Sequence, residues 1–116
     1  MRAAATGLVL LVALLHGYFL VLEMFLWDTP FGRRVFRLTP EFSSASKALA
    51  ANQGLYNGFL ATGLVYGVAA SAVPIQVLFL VFVIVAGVFG AFTVNPRIFW
   101  IQAAPALVAV VLLLLV

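Results

Sequence analysis

Glu23 and His16 are titratable side chains set inside an apolar run, where few ionisable groups are found. They are seven residues apart, nearly two helical turns. On a helix they therefore share a face and lie about 10 Å apart along the axis. A carboxyl and an imidazole in an apolar setting are the groups that acid–base chemistry uses: Glu23 to give or take a proton, His16 as a second titrating group or substrate orienter. A second cluster follows in ANQGLYNGFL, where Asn52, Gln53, Tyr56 and Asn57 interrupt Leu, Ala and Phe. Asn52 and Tyr56 are four apart, as are Gln53 and Asn57. Together they are expected to form one polar arc facing Glu23 and to hydrogen-bond the polar end of a ligand. Gln102 and Asn95 should lie at a similar depth, and Trp27 extends the Glu23 face towards the membrane surface.

The elements that position these groups follow from composition. Of 116 residues, 66% are hydrophobic and 8% charged. A soluble domain is about half apolar and a quarter charged. Too few polar side chains exist to cover a water-soluble globule, so the expected class is all-α, an integral membrane bundle forming one domain over residues 1–116. The net charge of +3 is not a nucleic-acid signal, because the basic residues are few and flank apolar runs. There is no cysteine and one histidine, which removes disulfides and thiolate chemistry. Any haem or metal ligand set would have to be shared between subunits, so no metal or cofactor is expected.

Four segments, 4–26, 39–71 (apolar from residue 48), 74–92 and 96–116, qualify as membrane spans, each offering the roughly 20 apolar residues that a membrane helix needs. Lipid offers backbone groups no partner, so such segments must be helices unless they close a barrel, and these runs lack the alternation of barrel strands. The first run passes through His16 and Glu23 to Leu26 with no small-x-small cleavage signature after it. It is expected to be a retained span and not a signal peptide. Short connections at Pro74 and at Asn95-Pro96 force antiparallel neighbours.

The first connection, WDTPFGRRVFRLTPEF, is longer and holds most of the charge. Thr29-Pro30 and Thr39-Pro40-Glu41 are helix starts, with Thr as cap and Pro in the first turn. Phe31, Val35 and Leu38 should share one face of a short amphipathic helix, with Arg33, Arg34 and Arg37 on the other and Trp27 as interfacial anchor. These arginines are expected to set topology and to meet anionic lipid headgroups. Together with Lys47 and Arg97 they put the connections after the first and third spans in the cytoplasm and both termini outside.

The stretches LEMFLWDTPFGRRVF, ALAANQGLYNGFLATGLVYG and VFVIVAGVFGAFTV resemble the small four-helix membrane proteins of the domain-of-unknown-function 1304 family. The specific parts are Glu23-Met24-Phe25, Trp27 with Thr29-Pro30, Ala51-Asn52-Gln53-Gly54 and Tyr56-Asn57-Gly58. The resemblance implies a bacterial-type integral protein of the inner membrane and brings no activity with it. Three readings fit these residues. One is a cytoplasm-facing intramembrane pocket for a lipophilic small molecule, with or without acid–base chemistry. The second is a proton-coupled carrier working as a homodimer. The third is a non-catalytic scaffold in which the amides are interhelical glue. An interfacial ion pair of Glu23 with Arg33, Arg34 or Lys47 would count against the first two.

Overall fold

A computed structural model describes residues 1–116. The chain is all-helical: α1 (Arg2–Met24), α2 (Pro30–Phe36), α3 (Pro40–Ala45), α4 (Lys47–Ala69), α5 (Val73–Thr93), a π-helical turn (Phe99–Ala103) and α6 (Ala104–Leu115). Both expected threonine caps form. Thr29 Oγ1 accepts from Gly32 N at 3.2 Å and Thr39 Oγ1 from Phe42 N at 3.1 Å, with proline in the first turn each time.

Two expected helices are interrupted, each for a local reason. The helix starting at Thr39 stops at Ala45 and restarts at Lys47. Between them Ser46 donates its hydroxyl to the Phe42 carbonyl at 2.6 Å, a back-bond that competes with the helical ladder. The last segment begins with a π-helical turn in which Ala104 N reaches Phe99 O, five residues back. Pro105 follows directly. It has no N–H and its ring crowds the carbonyl four residues earlier, so the wider turn accommodates it.

Two helices, α1 and α5, are long and apolar enough to cross a membrane. The other two expected spans fall short for different reasons. α4 has the length, at 23 residues, but Asn52, Gln53, Tyr56 and Asn57 dilute its apolar character. Phe99–Leu115 is apolar but shorter.

The chain divides into two compact units, residues 1–14 with 60–116, and residues 15–59. The first is built on Ala5, Val9, Val12, Leu64, Leu80, Val83, Ala106 and Ala109, all buried. Small residues allow its close approaches. A methyl group at Gly87 would come within 2.8 Å of Ala103 N, and one at Gly63 would run into the Phe79 ring. The second unit packs the end of α1 against the start of α4, closed by α2 and α3. A methyl at Gly54 would meet Met24 Cγ at 2.7 Å and Glu23 Cβ at 3.1 Å, and one at Gly58 would meet Leu20. The Gly54–Gly58 strip is thus the seat on which the Glu23 face of α1 rests.

Candidate functional site

That seat sets the site. Asn57 lies on the same side of α4 as Gly54 and Ala50, all three buried, and its Nδ2 donates to Glu23 Oε1. Glu23 is half-buried, and no cation reaches it. The ion pair in this unit joins other residues: Arg33 Nη1 to Asp28 Oδ1 at 3.0 Å. The interfacial ion pair expected as the plain alternative for Glu23 is therefore absent, and an amide holds the carboxyl instead.

The rest of the polar cluster divides. At 100° per residue, Asn52 and Tyr56 form one row of α4, and Gln53 and Asn57 form another turned by about that angle. Only Asn57 turns in. Asn52, Gln53 and Tyr56 are exposed, and Tyr56 lies edge-on to Phe59. The arc expected from the sequence starts at the buried face of Ala50, Gly54 and Asn57 and runs away from α1: at 100° per residue Gln53 is turned about 70° from the centre of that face, Tyr56 about 130° and Asn52 about 170°.

His16 is fully buried, its ring edge-on to Phe19 with centroids 5.4 Å apart. It is on α1 with Glu23, but seven residues of helix separate the two by about 10 Å, so they form no direct dyad. Trp27 donates Nε1 to Ser46 Oγ at 3.0 Å and stacks obliquely on Phe36, which ties the end of α1 to the α3–α4 corner. Gln102 belongs to the other unit, in the π-helical turn, where its Cβ covers Gly87. Asn95 accepts from Arg97 N at 2.9 Å and so shapes the turn at Pro96. A shallow groove exists at Ala61, Thr62, Val65 and Tyr66, and none of the expected site residues lines it.

Sequence reasoning missed two groups. Ser43, fully buried, donates its hydroxyl to Asp28 at 2.6 Å, and the same carboxylate takes Arg33. The Ser43 hydrogen bond and then the Arg33 guanidinium hold the Asp28 carboxyl below the usual carboxylate range. Fifteen residues and a helix break lie between the partners, so no periodic pattern announces them. Gln76 is the second. It is buried, it donates Nε2 to Gly67 O at 3.0 Å, and its Oε1 has no partner. A glutamine two residues after Pro74, opening an otherwise apolar helix, was the available signal.

Residues 10–114 match the family described as "Protein of unknown function (DUF1304)". The chain belongs to this family. It is similar to a relative in Lactococcus lactis subsp. lactis (strain IL1403) called "Uncharacterized protein YpaA". The two are 33% identical over 106 residues, which cover 88% of this chain and 89% of the relative. No solved structure matches. The family match includes Glu23, Asn57, Asp28 and Ser43, so the geometry above lies wholly within the family's domain.

Proposed function

We propose that this protein is an integral membrane protein of four antiparallel spans. Its Glu23–Asn57 pair is the polar centre of an intramembrane site for a lipophilic small molecule. The membrane reading is supported by what the surface exposes. Leu14, Leu49, Phe89, Phe92, Trp100 and Leu114 are each about 70% exposed or more, side chains that lipid solvates and water does not. On this reading α4 and Phe99–Leu115 span as well. The basic residues of the first and third connections lie in the cytoplasm, both termini lie outside, and the membrane is a bacterial inner membrane.

The observation that carries the site is the partner of Glu23. A carboxyl neutralised by arginine would be a strut. One held by a neutral amide keeps its capacity to exchange a proton or to take a donor. The pair also specifies the ligand's head. Asn57 Nδ2 already points at Glu23, which leaves the second carboxyl oxygen and Asn57 Oδ1 as acceptors. The favoured head therefore donates: an amine or a hydroxyl on an apolar body. A dodecylamine bearing a diazirine tests this in the reconstituted protein. Photolabelling of the α1 and α4 peptides is expected in the wild type and lost in Glu23→Gln and Asn57→Ala. Equal labelling in all three ends the proposal.

A second reading, a proton-coupled homodimeric carrier, draws on the exposed Asn52, Gln53 and Tyr56. Amides facing outward on a membrane helix are better satisfied against a second copy than against lipid. Flux of the same amine in proteoliposomes under a pH gradient, abolished by Glu23→Gln, would favour it over simple binding. A scaffold would show neither labelling nor flux.

A further inference from the structure

We infer that the outward face of α2 binds an anionic phospholipid, with the Arg34 guanidinium on its phosphate and Phe31 and Val35 along its acyl chains. This rests on the membrane reading above. The inward face of α2 fixes its roll. Gly32 is buried so tightly that a methyl there would run into the backbone carbonyls of Leu26 and Trp27, and the Phe36 ring sits 4.8 Å from that of Trp27. With that side committed, Phe31 and Val35 form an outward row four residues apart, 43% and 44% exposed. The amphipathic helix expected from the sequence had one apolar face. In the structure α2 has two, Phe36 inward and Phe31 with Val35 outward, and Leu38 extends neither because α2 ends at Phe36 and Arg37 turns left-handed.

The three arginines have different work. Arg33 is drawn to Asp28. Arg34 is exposed beside the apolar row, its Cζ 5.9 Å from the centre of the Phe31 ring. Arg37 is exposed at the helix end, in the left-handed conformation (φ 56°). Depth agrees with this assignment. Pro30 follows Met24, the last residue of α1, by six positions, so α2 lies where a span emerges into the headgroups. A cationic edge beside an exposed apolar row fits an amphiphile with a negative head. An acidic peptide or a nucleic acid would leave Phe31 and Val35 without a role, and a zwitterionic lipid would not answer the charge.

The full chain in dodecylmaltoside, offered phosphatidylglycerol or phosphatidylcholine of identical acyl chains, tests this by native mass spectrometry. Wild type is expected to retain phosphatidylglycerol preferentially. Arg34→Gln should lower that retention about fivefold, with a further drop when Arg37→Gln is added. Arg34→Lys should keep most of it, and Arg97→Gln, elsewhere in the chain, should leave it unchanged. Three results would overturn the assignment: wild-type retention by Arg34→Gln, an equal loss in Arg97→Gln, or displacement of the lipid by equimolar glycerol phosphate, which would mark a plain phosphate site. Alkaline extraction of membranes is run alongside. Release of the chain would instead sink the membrane reading, whereas a retained chain without the lipid preference sinks this inference alone.

Discussion

The Glu23–Asn57 hydrogen bond makes a quantitative demand. Asn57 is 6% exposed and its donor faces a half-buried carboxyl, so removal of either partner leaves the other with little water to replace it. Hydrogen bonds between membrane helices average about 0.6 kcal/mol and reach about 1.7, and bonds to charged groups run about 1.5–3. The coupling between the two residues should therefore be about 1–2 kcal/mol, roughly tenfold in the unfolding equilibrium. A double-mutant cycle of Glu23→Ala and Asn57→Ala isolates it from the cavities that each truncation leaves. Unfolding by dodecyl sulfate in mixed micelles can be followed by Trp27 emission after Trp100→Phe. Glu23→Gln adds a third point, since glutamine keeps a carbonyl acceptor for Asn57. It should lose less than alanine does. If the two alanine variants are additive within about 0.5 kcal/mol, the contact has no energetic meaning and the site built on it falls.

Other perturbations reach the rest of the second unit. Gly32→Ala should destabilise by about 1–3 kcal/mol in the same unfolding assay, because the new methyl collides with backbone and not with a flexible side chain. This opposes the gain of up to about 1 kcal/mol that alanine brings to a helix, so a stabilised variant would refute the close approach. Thr29→Ala should cost about 1 kcal/mol through loss of the α2 cap, read as earlier loss of Trp27 emission. The Asp28 carboxyl titrates below its ordinary value in the folded state, so its contribution is complete above the unfolded value near ~3.9 and is lost as pH falls through the folded one. Midpoints for wild type should drop in that acidic window. Asp28→Asn should be less stable at neutral pH and should lack that drop. A parallel acid limb in both proteins would remove Asp28 as its cause.

Local chemistry was legible in the sequence and long-range pairing was not. Thr29-Pro30 and Thr39-Pro40 announce their helices because cap and proline act within four residues. Gly54 and Gly58 announce a close helix contact because their spacing is that of one face, and Leu20, Glu23 and Met24 fill it. The amide cluster announces a polar site but not its direction. The helix turns one face inward, and of the four polar residues Asn57 alone lies on the face of Gly54 and Ala50, the small residues that let α1 approach. The small residues, and not the density of amides, carry the direction, because the face that α1 can approach closely is the face that holds Asn57. The break at Ser46 and the π-helical turn before Pro105 depend on one back-bond and one missing N–H, each too small a signal to outweigh the apolar runs around it.

The two acidic residues near the end of α1 make the division of labour plain. Glu23 and Asp28 are five positions apart, and either could have taken an arginine from the GRR that follows. The structure gives Arg33 to Asp28, outside the apolar segment, where Ser43 of α3 donates to the same carboxylate, so the ion pair links α2 to the connection before it and the serine links that connection to α3. The Trp27–Ser46 bond ties the same connection to the α3–α4 corner, so α2 is held in place without help from Glu23. Glu23 stands outside that network and receives a neutral partner on α4. An arginine at that position would lock the carboxyl in its ionised form, whereas an amide accommodates either protonation state with the same geometry. A swap separates the two roles. Asn57→Arg crowds the close-approach face and should cost about 1–3 kcal/mol in the unfolding assay, and in the protein that folds its guanidinium should pair with Glu23 and abolish amine photolabelling at α1. Labelling that survives this replacement would mean that Glu23 needs no free acceptor, and the carboxyl would then be structural after all.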